Sequence, residues 1–219
     1  MRVWTRWAAR GVVVLILMVV GAVLYDSVRP PVSTLMFGRM LTGQTVDRRP
    51  VALSAIANTL VAAVVMSEDG QFCKHRGVDW SSLNEVVSDP DGPSRGASTL
   101  TMQLAKNLFL WPGRSYLRKA LEIPTALLIE VIWSKRRILQ AYLNVAEWGP
   151  GVFGAEAAAQ QHFHKPASQL SRREAALLAT SLPNPILRDA ARPTRHQRTL
   201  AATVQARMAS AEPWLTCLR

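Results

Sequence analysis

The 219-residue chain carries 26 Lys and Arg residues against 15 Asp and Glu residues, a net charge of +11, yet 49% of its residues are hydrophobic. This length suffices for one domain with a buried core, and the composition excludes a disordered tail protein or a collagen-like chain. Basic chains that bind nucleic acid are normally hydrophilic, so the composition favours a globular protein at a membrane and no nucleic-acid partner.

An apolar segment near the N-terminus accounts for part of the hydrophobic excess. Residues 11–25 carry no charge, three arginines precede them and Asp26 follows. As a helix this segment is shorter than the roughly 30 Å hydrocarbon core of a bilayer, so spanning also requires Trp7 to Arg10. A cleaved secretory signal is the alternative, but no small-x-small cleavage site follows. The basic residues predict a cytoplasmic N-terminus at residues 1–10 and an external remainder.

A long apolar helix is predicted over residues 51–69, ended by a glycine. Glu68 follows residues that are nearly all apolar, so burial should raise its pKa towards the range useful for a general base. Asp69, His75 and Asp79 are candidates to orient Glu68 or to tie the following loop together. A metal site formed by Glu68, His75 and Asp79 is disfavoured, because two glycines interrupt the ligand spacing.

The next helix is predicted over residues 99–110 and carries a narrow polar stripe between two apolar flanks. This stripe contains Thr99, Gln103, Lys106 and Asn107. It suits a helix that lines a wet cleft, where Lys106 would attract an anionic group of a substrate. An ordinary amphipathic helix with its polar face in solvent is the alternative.

A third candidate helix covers residues 116–133, and Pro124 is expected to kink or split it. Arg118 and Glu122 stand four residues apart in the less favourable order for a helical ion pair, which favours a role in a site. The preceding residues 108–111 are hydrophobic enough for the core. Alternatively they dip into a membrane interface, with Trp111 and Tyr116 at headgroup depth.

Further helices are predicted to the end of the chain, so the fold class is all-α. They begin at Ser134, at Gly154, after a capping box from Ser171 to Glu174, and at Thr194. The only strands expected are a short pair around residues 31–46. The predicted organisation is a cytoplasmic N-terminus, an anchor, a linker and one domain, with bounds at 1–10, 11–25, 26–50 and 51–219.

Two features of the composition leave alternatives open. Most of the positive charge lies beyond the anchor, which indicates an anionic partner such as a phosphate, a pyrophosphate or membrane headgroups, or else solvated basic faces. Cys73 and Cys217 would pair in an oxidising compartment, but nothing local distinguishes a disulfide from two free thiols.

Five segments taken in order resemble the five motifs of glycosyltransferase family 51. The match spans residues 51–185, with motifs over 66–165, and the segments are Glu68-Asp-x-x-Phe72-x-x-His75-x-Gly77-x-Asp79, GASTLTMQLAKN from Gly96, RKxxE from Arg118, SKRRILQAYLN from Ser134, and GVFGAEAAAQQHFHK from Gly151. The sequence departs from the family pattern at Ala97, Met102 and Pro124, and the last leaves the local geometry of Glu122 open.

The resemblance implies a lysozyme-like helical domain that polymerises lipid II, without a transpeptidase domain. Glu68 would be the general base and Glu122 the second catalytic glutamate, which orients Arg118 or holds a divalent Mg or Mn ion; no cofactor is obligatory. Lys106, Arg118 and Lys135 would stabilise the leaving pyrophosphate. The remaining substrate-binding candidates are Asp69, Phe72, His75, Ser98, Thr99, Gln103 and Asn107.

The resemblance also implies location and partners. The domain would lie on the outer, periplasmic face of the cytoplasmic (inner) membrane, in contact with lipid, lipid II and the growing lipid-linked strand. Cell-wall synthesis or division proteins are candidate partners. Two other functions are carried forward: a lysozyme-like enzyme that cleaves finished glycan, and a membrane-anchored basic adaptor without activity.

Overall fold

The computed structural model describes residues 2–88, 96–113 and 115–218, which form ten α-helices and a small sheet. The helices are α1 (Arg2–Val28), α2 (Thr34–Leu41), α3 (Asn58–Glu68), α4 (Trp80–Ser88), α5 (Leu100–Phe109), α6 (Tyr116–Ile132), α7 (Lys135–Val145), α8 (Ala155–Phe163), α9 (Arg172–Ser181) and α10 (Arg195–Met208). The strands are β1 (Asp47–Arg48), β2 (Glu147–Gly149) and β3 (Val152–Phe153). This content confirms the predicted helical fold.

Hydroxyl side chains cap the N-termini of several helices. Thr99 Oγ1 accepts a hydrogen bond from the amide of Met102 at 3.1 Å at the start of α5. Ser171 and Glu174 form the predicted capping box, each side chain accepting from the other residue's amide. Such caps satisfy amides that have no partner within the helix, so they fix where the helices begin.

The apolar helix predicted over residues 51–69 is shorter in the structure and begins at Asn58. Upstream of it, the amides of Val51 and Leu53 donate to side chains of α7, to Asn144 Oδ1 at 2.8 Å and Gln140 Oε1 at 3.3 Å. Because these amides are taken by tertiary contacts, the helix starts later than the hydrophobic pattern suggests.

The core is built from two groups of helices. Helix α3 packs against α9 and α10, and α5 packs against α6 and α7. Buried alanines on α8 and α9, including Ala158 and Ala176, let neighbouring backbones approach closely. The groups meet where the end of α3 faces the start of α5, since the amide of Leu100 donates to Asp69 Oδ2 at 2.9 Å.

Helix α6 runs through Pro124 without a break, so the predicted split is wrong. The proline costs one backbone hydrogen bond, but Ala126 and Ile129 after it are fully buried. Packing of this face against α5 keeps the helix continuous across the missing bond.

The segment predicted as a linker packs on the domain, and the strand pair expected around residues 31–46 is wrong. Ser33 caps α2 there, and Met36 is fully buried. The sheet lies elsewhere, in the order β1-β3-β2, with β1 parallel and β2 antiparallel to β3. Its strands are only two or three residues long, too short to leave a period in the sequence.

Helix α1 contains the one stretch among the described residues that is long and apolar enough to span a membrane, Ala9–Val28. It extends the predicted segment at both ends; the side chain of Arg2 lies outside the described residues. Near its end Val23 is fully buried, and its carbonyl accepts from Trp133 Nε1 at 2.9 Å. Arg137 donates to the carbonyls of Asp26 and Arg29, so side chains of the domain hold the end of the anchor.

Cys73 and Cys217 form a disulfide, which decides between the two alternatives left open by the sequence. The bond joins the loop after α3 to a C-terminal segment made of two 3₁₀ turns, Glu212–Trp214 and Thr216–Leu218.

Candidate active site

Glu68 is the last residue of α3 and lies in a cleft of about 600 Å³. Most of the helix before it is buried, so the chain carries this carboxylate from the core directly to the cleft wall. Residues 96–98 before α5 line the cleft from one direction, and Arg207 and Trp214 line it from another. The sequence-predicted Ser98 therefore shares the cleft with Glu68.

Gln103 holds the Glu68 carboxylate through a hydrogen bond. Its Nε2 donates to Glu68 Oε2 at 3.1 Å, and its Oε1 accepts from the hydroxyl of Tyr142 at 2.9 Å. Burial raises the pKa of Tyr142 well above its ordinary value, so this hydroxyl stays a donor. A permanent donor on the amide oxygen leaves the amide NH₂ facing Glu68, which fixes the orientation of the carboxylate.

Burial raises the pKa of Glu68 above its ordinary value. Hydrogen bonds from Gln103 and Ser67 and the charge of Arg188 oppose the rise, whereas the nearby Asp69 adds to it. A raised pKa makes the ionised carboxylate a better proton acceptor than an exposed glutamate, which suits a general base.

Asp69, His75 and Thr99 organise the loop that follows α3. Nε2 of His75 lies 2.9 Å and 3.0 Å from the two Asp69 oxygens, and Asp69 also accepts from the amide of Leu100. Thr99 Oγ1 donates to the carbonyl of Gly77 at 2.5 Å. Gly77 has φ +83, and a Cβ there would lie 2.9 Å from a side-chain atom of α6, so the loop requires glycine.

A cluster of cations surrounds Glu122, which is only 2% exposed. Arg118 donates to Glu122 Oε1, and Lys119 donates to Oε2 at 2.9 Å and to Ser98 Oγ at 3.2 Å. Among the described residues Lys106 has no ion-pair partner within 4.0 Å, and burial lowers its pKa. Three cations around one carboxylate leave an excess of positive charge that suits an anionic group.

The other predicted site residues make different contacts. Phe72 is fully buried in the core. Lys135 Nζ lies 4.5 Å from its ring centroid and forms an ion pair with Glu130 at 2.7 Å, so its charge is already compensated. The backbone carbonyl of Asn107 accepts from Thr34 of α2 at 3.2 Å, and its side chain is half-buried.

A family model described as transglycosylase matches residues 36–209 of the chain. The chain belongs to the transglycosylase family. A biosynthetic peptidoglycan transglycosylase from Agrobacterium fabrum is 56% identical to it, over 86% of this chain and 84% of the relative. Relatives of the same name from Brucella suis biovar 1 and Rhodospirillum centenum are 50% and 53% identical. These two cover 97% and 95% of this chain and 100% and 91% of their own lengths.

The transglycosylase match begins inside α2, in the segment predicted as a linker. Sequence reasoning also missed Tyr142, although it lies inside the motif from Ser134. Its hydrogen-bond partner, Gln103, lies 39 positions away along the chain, so the local pattern does not show that Tyr142 has a polar contact. Arg188 lies far along the chain from Glu68, yet its charge lowers the pKa of that carboxyl. Lys119 was part of the motif from Arg118, but the sequence did not predict its contacts with Glu122 and Ser98.

A divalent ion at Glu122 remains a prediction that this transglycosylase geometry does not favour. Both carboxylate oxygens accept from cations, and Lys106 adds charge of the same sign as a metal. Among the described residues, moreover, no group of three or more His, Cys, Asp or Glu side chains is arranged to hold a metal ion. Because cations already hold both of its oxygens, Glu122 does not fit a divalent ion.

Proposed function

We propose that this protein polymerises lipid II into peptidoglycan strands, with inversion at the sugar carbon and release of undecaprenyl pyrophosphate. The observation that carries the proposal is the pairing, in one site, of a buried and oriented carboxylate with an excess of positive charge. Glu68 would accept a proton, and the cluster of Lys106, Arg118 and Lys119 would hold the leaving group. The names of the relatives supply the substrate class.

The proposed step forms one bond and breaks one. The 4-hydroxyl of the GlcNAc of the incoming lipid II attacks C1 of the MurNAc at the lipid-linked end of the strand. The new C1–O4 bond forms as the bond from C1 to the pyrophosphate oxygen breaks. The hydroxyl proton passes to Glu68, and the electron pair of the broken bond leaves with the pyrophosphate. Attack opposite to the leaving group gives the β linkage.

Each side chain at the site has a role in this step. Gln103 and Tyr142 keep one oxygen of Glu68 directed, while Glu122 keeps Arg118 and Lys119 in place. Lys106 has no such partner and would contact the pyrophosphate directly. Fixed cations around a developing anion lower the barrier because they need no reorganisation during the reaction.

We propose further that the apolar stretch of α1 anchors the chain in the membrane, with residues 1–10 in the cytoplasm and the domain outside. The basic residues before the apolar stretch support this orientation, and the disulfide fits an oxidising compartment. Exposed apolar side chains on α2 and at the start of α6, including Phe37 and Leu117, would then contact lipid near the cleft. Tyr116 and Trp111 would lie at headgroup depth.

The test is polymerisation of labelled lipid II by the purified full-length protein and by Glu68→Gln. We expect the variant to lose at least about 100-fold in rate, since a general base contributes roughly that much or more. Circular dichroism and vesicle binding should match the wild type. Turnover by Glu68→Gln close to that of the wild type would contradict the assignment of the base.

Lys106→Ala separates this function from the two alternatives. A polymerase with a pyrophosphate leaving group should lose activity in this variant, and Lys106→Arg should recover part of it because the charge returns. An enzyme that cleaves finished glycan would release soluble fragments from peptidoglycan. An adaptor without activity would be indifferent to both the Glu68 and the Lys106 substitutions.

A further inference from the structure

The cleft of Glu68 has a second wall that the proposed chemistry does not use. It is formed by the end of α10 and the segment after it, through Arg207, Ser210 and Trp214. Trp214 is half-buried and so presents part of its indole to the cleft. The residues that face Glu122, including Lys106 and Arg118, do not line this part of the site. The site therefore has a cationic region around Glu122 and an aromatic region at Trp214, which also carries Arg207, and Glu68 is close to both.

Trp214 is held in place by contacts with the loop after α3. Cys217 is bonded to Cys73, and the Cys217 amide donates to Cys73 Sγ at 3.2 Å. Lys74, the next residue along the loop, places its Nζ 3.7 Å from the centroid of the Trp214 ring. A cation at this distance is attracted to the face of an indole, so the ring is restrained in orientation as well as in position.

The same loop carries the residues that organise the catalytic glutamate's surroundings. Asp69 and His75 at its two ends are paired with each other, and Asp69 directly follows Glu68. The disulfide thus links the wall that bears Trp214 to the part of the chain that positions Glu68. This linkage restrains the C-terminal segment next to the loop that follows Glu68.

We propose that Trp214 is a saccharide-binding residue that stacks against a sugar ring of the glycan strand, with the Cys73–Cys217 bond positioning it. The inference rests on the proposed function. If the pyrophosphate lies at the cations, the uncharged sugars extend towards the aromatic region. The C–H faces of pyranose rings are apolar, and a rigid indole offers a large flat apolar surface to them.

The first test compares Trp214→Leu, Trp214→Phe and Trp80→Leu in lipid II polymerisation by the full-length protein. Trp80 is 56% exposed at the start of α4 and does not line the cleft, so it controls for loss of an indole. We expect Trp214→Leu to raise KM by about 3–10-fold and to shorten the strands, with kcat within about twofold. Trp214→Phe and Trp80→Leu should resemble the wild type.

A Trp214→Leu variant with unchanged KM and strand length would overturn the inference while leaving the proposed function intact. A change of equal size in Trp80→Leu would also overturn it, because the effect would then be general. If the wild type makes no polymer at all, the proposed function fails and the inference fails with it. The outcomes are therefore distinguishable.

The second test addresses the disulfide as the positioning element. Trp214→Leu is introduced into a Cys73→Ser/Cys217→Ser background, at a temperature at which circular dichroism reports both proteins folded. If the bond acts through Trp214, the serine pair alone should raise KM, and adding Trp214→Leu should change it less than about twofold further. A full additional 3–10-fold effect would show that the bond does not position the ring.

Discussion

At the scale of single residues, the arrangement around Glu68 balances opposing influences on one carboxyl group. Burial favours its neutral form, and hydrogen bonds from Gln103 and Ser67 favour the charged form. Lys106 is subject to the same kind of balance, because burial favours its neutral form whereas Glu122 favours its charged form. The pKa values of both groups therefore lie closer to neutral pH than they would in solvent.

We expect a bell-shaped pH profile of kcat/KM that is narrower than ordinary Glu and Lys values would give. Glu68 must be ionised to accept a proton, and its raised pKa moves the acid limb to higher pH. Lys106 must be charged, and its lowered pKa moves the alkaline limb to lower pH. Initial rates of lipid II polymerisation against pH measure both limbs.

Lys106→Arg is the matched control for the alkaline limb, because arginine stays charged at any accessible pH. This variant should shift the alkaline limb upward and leave the acid limb in place. An unchanged alkaline limb would mean that another group controls it.

Glu68→Gln should stabilise the fold at pH 7 while it abolishes activity. The folded-state pKa of Glu68 is raised, so the folded protein binds this proton more tightly than the unfolded chain does. The contribution of this bound proton to the free energy of unfolding is complete below the pKa of Glu68 in the unfolded chain. It is lost as the pH rises through the pKa of Glu68 in the folded protein. At pH 7 the wild type therefore keeps a buried charge that the amide avoids.

We expect Tm of Glu68→Gln to exceed that of the wild type by about 2 °C or more at pH 7, and the difference to vanish near pH 4. Differential scanning calorimetry in the same detergent at the two pH values measures this. A variant less stable than the wild type at pH 7 would show that hydrogen bonds, not desolvation, dominate at Glu68.

At the scale of elements, the end of α1 is held by Trp133, which directly follows α6, and by Arg137 of α7. The last carbonyls of a helix lack intrahelical partners, and Arg137 donates to one of these, the carbonyl of Asp26. Trp133 donates to the carbonyl of Val23, one turn earlier. The membrane anchor is thereby joined to the helices that flank the cation cluster and carry Tyr142.

Trp133→Phe should lower the stability of the full-length protein, since it removes the side-chain donor to the Val23 carbonyl and with it a buried contact between α1 and the domain. The loss of one such hydrogen bond costs about 0.5–1.5 kcal/mol, which corresponds to a fall in Tm of a few degrees. Thermal unfolding in detergent measures the effect, with the exposed Trp80→Phe as control. Equal Tm values for both variants would mean that the anchor is not docked in this way.

At the scale of the whole molecule, the disulfide joins residues 144 positions apart and so constrains most of the unfolded domain. We expect Cys73→Ser/Cys217→Ser to lose about 3–5 kcal/mol of unfolding free energy, on the loop-entropy account. Denaturant titration in detergent measures the loss. Reduction of the wild type should lower the unfolding free energy by the same amount. An unchanged unfolding free energy on reduction would mean that the disulfide does not stabilise the fold.

The sequence by itself determined the helical class, the apolar N-terminal helix, the capping box and the glutamate at a helix end, because each depends on periodicity or on contacts within a few residues. Glu68, Lys106 and Arg118 were predicted as site residues because polar residues at such positions have no role in a core. That Glu122 also pairs with Lys119, and that Lys106 is unpaired among the described residues, followed only from the structure.

The tertiary structure decided the features whose partners lie far apart along the chain. Packing kept α6 continuous through Pro124 and docked α2 through Met36 where a linker was predicted. It also paired Lys135 with Glu130 and brought Tyr142 to Gln103. The cysteine pairing belongs to the same class. The net charge of +11 follows directly from the sequence. Which cations remain without an ion pair depends on which carboxylates the fold places beside them, and the local sequence does not contain that information.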